Sequence, residues 1–279
     1  MLTHAILQGK LRSVGSQINE QLEDLLTSEI FSRLRYLDLE VGLIPILNRV
    51  QNVATKQNGL PIQAKYNGPA AYSFWPKLTL KTGNKVEPDL IIELRTESGE
   101  QLVVVVECKH LSGKSGGAIS DDQEIDGFKS TPQDQLVKEL LVVNEHYPEA
   151  KVFLLYLTGH TNLPENYIVE SVDSIKDFEG TSKTFFYDSV YWIGWKDIWN
   201  ILSEQRNIFS HERLISTIIE DITKLLEYHG YRYYQGIPKP LAFIPALKQY
   251  TWYKSGFLGW QNLPNFLLPN KSIVYYERG

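Results

Sequence analysis

The chain of 279 residues contains a single cysteine, Cys108. One thiol permits no intramolecular disulfide and cannot build a cysteine-type zinc site, which fits a reducing compartment and argues against redox chemistry. No run of 18 apolar residues occurs, so no membrane-spanning helix is expected. The N-terminal stretch MLTHAILQGKLRSVGSQ lacks an apolar signal core followed by a small-residue cleavage site, and a cytoplasmic location is expected. The six histidines show no metal-ligand spacing and no Gly-x-Ser-x-Gly accompanies them, leaving a hydrolase triad without support. The run from Gly113 to Gly117, GKSGG, lacks the spacing of a P-loop, so ATP binding is not supported either. Internal repeats and low-complexity segments are also missing.

What is present is ordinary globular composition, 43% hydrophobic and 22% charged, enough for a sizeable core. The net charge of −5 hides an asymmetry. From Lys224 onward there are seven Lys/Arg against two Glu, a balance of +5 that leaves −10 for the remainder. That basic segment is also dense in aromatics, and a basic surface interleaved with stacking rings is one way to hold nucleic acid. A small tyrosine-rich subdomain with ordinary solvated lysines accounts for it equally well.

Apolar spacing predicts two or three helices over residues 17–50, with Ser28 and Glu29 reading as a cap and first-turn acid. Residues 51–71 read as a connector with a short strand at 62–66, and 74–81 as a strand leading into a hairpin. Residues 111–130 read as a loop carrying Asp121, Asp122, Glu124 and Asp126. Thr131-Pro132 then starts a helix with the stripe Leu136, Leu140 and Val143, while Gln135, Lys138 and Glu139 lie off that stripe. KVFLLYLT, 151–158, reads as a strand buried on both faces, so a crossover helix joins two strands and the architecture is α/β. Beyond it a weak helix is expected at 171–178, a strand at 184–193, and helices at 196–203 and 212–228. The last of these presents Leu214, Ile218, Ile222 and Leu225. Five prolines after Tyr231 favour short strands and turns.

The organising stretch is VEPDLIIELRTESGEQLVVVVECKH, 86–110. Two apolar runs flank a polar segment containing Ser98-Gly99, which reads as a β-hairpin. Alternation along the second strand puts Glu107 and Lys109 on one face and Cys108 on the other, and pairing can bring Asp89 beside them. Clustered carboxylates at the end of a buried strand need a compensating cation, and oxygen ligands of this kind suit Mg²⁺ or Mn²⁺. A plain strand-end ion pair between Glu107 and Lys109, with Asp89 capping a turn, is the blander reading. It explains less well why four valines lead straight into the charges. Cys108 reads as a small buried hydrophobe rather than half of a thiol–imidazole pair with His110, and Trp192, Trp195 and Trp199 read as packing.

Pro88-Asp89, the turn, the apolar strand and Glu107-Cys108-Lys109 resemble the PD-(D/E)xK nuclease superfamily over roughly residues 28–158. The resemblance implies a restriction-endonuclease-like mixed sheet flanked by helices, followed by a C-terminal helical and aromatic-rich extension. It divides the chain into a nuclease core at 1–160 and an extension at 161–279 that completes the core and offers a surface to nucleic acid or a partner. It implies that Asp89 and Glu107 bind Mg²⁺ or Mn²⁺ with the backbone carbonyl of Cys108, that Lys109 positions the attacking water, and that Gln135 joins the site from the following helix. An early helical acid is also implied. Glu29 and Glu40 both qualify, with Glu29 favoured for its helix-start context. The expected function is metal-dependent endonucleolytic hydrolysis of phosphodiesters, of DNA before RNA, in a setting such as restriction, repair or phage defence. The alternative is a noncatalytic nucleic-acid-binding or assembly subunit that keeps the fold. A double-strand cut would call for a homodimer or a partner subunit, and no membrane partner is expected.

Overall fold

The computed structural model describes residues 18–61, 65–109, 134–175 and 182–233. These lie in one compact unit that extends to Tyr233. Expectations for the 62–64 part of the short strand, the loop after His110, the Thr131-Pro132 helix start and the basic aromatic tail fall outside the described residues.

A mixed sheet of six strands carries the fold. In chain order these are β1 (Gln51–Asn52), β2 (Ala71–Phe74), β5 (Leu90–Arg95), β6 (Gln101–Lys109), β7 (Lys151–Thr158) and β8 (Val190–Gly194). In space the order is β1-β8-β7-β6-β5-β2. Two further strands, β3 (Leu78–Thr79) and β4 (Lys85–Val86), form a separate small ribbon. The 74–81 strand expected from sequence therefore resolves differently. Its partner to the hairpin is β2, upstream of Pro76, which cannot donate within a sheet ladder and marks where pairing stops.

The β5–β6 hairpin forms in the expected place, with Leu90 opposite Val106 and Arg95 opposite Gln101. Its turn closes through Gly99 N–H to Thr96 O at 2.9 Å and needs Gly99 at φ +88°, a conformation that costs glycine little. Helix α3 (Gln135–His146) returns the chain so that β7 runs parallel to β6, and β8 runs parallel to β7. Asp134 caps α3, its carboxylate accepting from Val137 N–H at 3.3 Å.

Because side chains alternate, each central strand feeds two cores. Leu90, Ile92, Val104, Val106, Leu155 and Leu157 face α1 (Ile18–Leu34), α2 (Leu43–Leu47), α6 (Trp195–Ile208) and α7 (Arg213–Tyr228). Ile91, Val103, Val105, Leu154 and Tyr156 face α3, α4 (Glu165–Ser174) and α5 (Lys183–Ser189). Cys108 is buried in the first core, and Trp192, Trp195 and Trp199 are all buried. Among the described residues no helix is long and apolar enough to cross a membrane.

Three local expectations are corrected. Ser28 does not start a helix: α1 runs through it, and its hydroxyl donates back to Leu25 O at 3.0 Å, the alternative use of a helical serine. Residues 183–189 are helical rather than extended, because Ser182 accepts from Phe185 N–H at 3.0 Å and caps the turn against the β-propensity of the aromatics. Helix α7 buries Ile219, Ile222, Thr223 and Leu226, while Leu214 is 73% exposed. Its contact face is therefore rotated by about one residue from the expected stripe, with Ile218 and Leu225 at the margin.

Candidate active site

At the carboxyl end of β6 the hairpin partner has run out: β5 begins at Leu90, opposite Val106, so Glu107 to Lys109 extend past it. Asp89 sits at that gap. Its Oδ2 accepts from Cys108 N–H at 2.8 Å, replacing the ladder bond that a longer β5 would have made. In a strand, the N–H and C=O of one residue project from the same edge. The Cys108 carbonyl therefore points to the Asp89 side as well, while Lys109 uses its opposite edge, where its carbonyl accepts from Gly159 N–H at 3.0 Å. An acid and a carbonyl thus meet at a strand edge that no strand pairs among the described residues.

Glu107 and Lys109 project from β6 toward α3. Glu107 is fully buried and Lys109 nearly so, and Lys109 Nζ lies 2.7 Å from Glu107 Oε1. Across the parallel ladder Glu107 is in register with Tyr156, and Lys109 with Thr158. Tyr156 is fully enclosed, and its hydroxyl has no hydrogen-bond partner among the described residues.

From α3 comes a carboxyl outside the expected set. Glu139 is 1% exposed and accepts from Gln135 Nε2 at 2.9 Å, one helical turn away. The Glu107 charge acts on the Glu139 carboxyl. Oε2 of each is enclosed, and no described donor reaches it. Gln135 therefore touches the site through Glu139.

Three carboxyls, Asp89, Glu107 and Glu139, act on one another, Lys109 pairs with Glu107 and acts on Asp89, and a fourth acid, Asp24 of α1, adds its field. Burial and then the Glu107 charge push Asp89 well above the usual carboxylate range, against the opposing pull of Lys109 and the Cys108 N–H. Burial, then Glu107 and Asp89, raise Glu139 in the same way. Burial likewise pushes up the Cys108 thiol and, with Glu107, the Tyr156 hydroxyl. Negative charge exceeds positive here, and a dehydrated cluster of this kind is relieved by protons or by a divalent cation. The donor set is all oxygen and suits Mg²⁺ or Mn²⁺. As the side chains stand, no three His, Cys, Asp or Glu residues among the described ones close around a single point. The groups that could hold a cation there are the Asp89 and Glu107 carboxylates, with the Cys108 carbonyl.

The structure brings together Asp89, Glu107, Lys109 and, at one remove, Gln135. It does not bring in Glu29 or Glu40. Glu29 is mid-helix and paired with Arg33, and Glu40 is exposed, its charge acting on Tyr66. The α1 acid whose charge reaches Asp89 is Asp24, one turn before Thr27 and Ser28, which are themselves buried. The missed Glu139 carried one signal in the sequence, its i,i+4 spacing from Gln135. Comparison with protein families, curated proteins and solved structures finds no match to this chain.

Proposed function

We propose that the protein is a metal-dependent nuclease with a restriction-endonuclease-like core that hydrolyses phosphodiester bonds of DNA. The observation that carries this reading is the convergence, at one open strand end, of Asp89, the Cys108 carbonyl edge and the buried Glu107–Lys109 pair. A site of this make is costly for stability alone, since several acids are dehydrated around one ammonium. Perturbed groups gathered at the end of a sheet are the usual signature of chemistry.

Each residue has a part in hydrolysis, which adds water across one P–O ester bond. A bound Mg²⁺ supplies Lewis acidity toward the phosphoryl group and lowers the pKa of a water. Asp89, held by the Cys108 N–H, and Glu107, held by Lys109, are the carboxylates that would bind it. The Lys109 ammonium, beside Glu107, orients the water and offsets charge that builds on the phosphoryl oxygens. Gln135 holds Glu139, whose carboxyl interacts electrostatically with Glu107 from the helix side.

The test is cleavage of plasmid and linear duplex DNA by the full chain with Mg²⁺, with EDTA, and for Lys109→Ala. Nicking that needs metal and is lost in Lys109→Ala is expected. Nicking indifferent to both, or none at any metal concentration, would refute the reading.

A further inference from the structure

A cavity of about 420 Å³ opens beyond the carboxyl ends of β7 and β8, and neither Asp89, Glu107 nor Lys109 lines it. Ligands of open α/β sheets bind at such strand ends, and small-molecule sites span roughly 300–1,000 Å³. Its lining is rich in amides, Gln51, Asn58, Asn162 and Asn200, with Trp192, Arg49 and Asp197 beside them. Each amide presents a donor and an acceptor, which suits a planar heterocycle with a mixed hydrogen-bonding edge. A phosphate site would instead gather cations. The guanidinium at this cavity is held 2.5 Å from Glu204, whose other oxygen accepts from Asn200 Nδ2 at 3.1 Å. Arg49 and Asn200 are thus fixed by one carboxylate, which the Arg49 hydrogen bond keeps below the usual range and so ionised.

The loop after β7 reaches the cavity because Gly194 ends β8. A Cβ there would lie 3.0 Å from the His160 carbonyl oxygen, so a larger residue would push away the segment that carries Asn162. Trp192 also links the cavity to the acids: its Nε1 donates to Thr158 Oγ1 at 2.9 Å, and Thr158 is in register with Lys109. Trp192 is in register with Tyr156, and Tyr156 with Glu107. Two strand spacings separate the Glu107 and Trp192 backbones, about 10 Å in all.

We infer that this cavity is a nucleobase subsite, which takes one unstacked base from a strand whose phosphodiester lies at Lys109 and reads its edge with Asn58, Asn162 and Asn200. The placement of the strand rests on the nuclease reading, whereas the binding of a base does not. The base is recognised through its polar edge beside an indole, and an abasic sugar-phosphate leaves the amides unpaired.

The test is fluorescence anisotropy of the full chain in EDTA with a labelled single-stranded heptanucleotide and with an abasic strand of equal length. The abasic strand is expected to bind at least tenfold more weakly. Asn162→Leu, in an exposed loop, and Asn200→Leu should each reduce affinity for the base-bearing strand about tenfold and leave the abasic affinity unchanged. Equal affinity for both strands, or no response to either variant while melting temperatures are preserved, overturns the inference. So does a response in the cavity to neutral sugars alone. Because no cleavage is needed, a protein that fails to cut yet shows the base contrast would sink the nuclease reading and keep the subsite. One that cuts without the contrast would do the reverse.

Discussion

Lys109 Nζ lies 2.7 Å from Glu107 Oε1, and the two side chains, two residues apart on β6, are both buried. Removing one partner of a buried pair leaves the other charge uncompensated, which costs about 3–5 kcal/mol, whereas replacing both by apolar or neutral groups is often neutral. Lys109→Met is therefore expected to lower stability at pH 8 by a few kcal/mol on that scale. Glu107→Gln combined with Lys109→Met should recover most of the loss. Urea unfolding of the two single variants and the double variant in EDTA measures the coupling, and strictly additive losses would contradict it. Both single variants should also lose at least about 100-fold in cleavage rate, the usual contribution of a positioned proton-handling group.

Glu139 and Asp89 are held above their ordinary values of 4.5 and 3.8, chiefly by burial and by neighbouring carboxylates. A carboxyl whose folded pKa is raised binds its proton more tightly in the folded state. Its stabilisation is complete below the unfolded pKa and is lost as pH rises through the folded one. Without metal, the melting temperature should thus fall as pH climbs from about 4 toward the raised values of these acids. Glu139→Gln keeps the shape and removes one charge, so it should flatten that fall and melt above the wild type at pH 8. Thermal melts of both proteins in EDTA from pH 5 to pH 8 decide this, and parallel curves would count against a protonated Glu139. Adding Mg²⁺ should raise the wild-type melting temperature at pH 8 more than at pH 5, since metal competes with the bound protons.

The hairpin and its charged end were legible in the sequence because their signals are local. A turn with glycine, a run of valines and the alternation of Glu107, Cys108 and Lys109 fix both strand and face. Other members depended on contacts far apart in the chain. Glu139 lies off the Leu136, Leu140 and Val143 stripe, yet it is buried, because the Glu107 end of β6 is polar and makes room for it. Tyr156 was recognisable as part of a buried strand, but its position opposite Glu107 is set by the β6–β7 register, which no single segment reveals. Asp24 was hidden by Ser28, whose hydroxyl serves a helix interior as readily as a cap.

Two acids on α1 differ in what they reach. Asp24 acts on Asp89, whereas Glu29, five residues on, is paired with Arg33. Outer carboxylates that tune a metal site typically contribute 10- to 100-fold to its affinity. Asp24→Asn is expected to weaken Mn²⁺ binding by about tenfold at pH 7.5, and Glu29→Gln to leave it unchanged. Calorimetric titration of the two variants with Mn²⁺ makes the comparison. Equal effects, or a larger one from Glu29→Gln, would show that Asp24 is not the early acid of the site.

Cys108 offers the complementary test, because the site uses its backbone and the core uses its side chain. Its N–H holds Asp89, its carbonyl faces the same open edge, and its buried thiol points into the opposite core, where burial raises its pKa. The folded protein should therefore react with a thiol-specific reagent far more slowly than the unfolded chain, since the thiolate is the reactive form. Cys108→Ala removes one buried sulfur and should cost on the order of 1 kcal/mol, as for a small core deletion. Cleavage at saturating Mg²⁺ should stay within a few-fold of the wild type, because both backbone groups persist. A loss comparable to that of Lys109→Ala, in a variant that still folds, would mean that the thiol itself takes part in the chemistry. The site would then have to be rebuilt around the face of β6 that now reads as core.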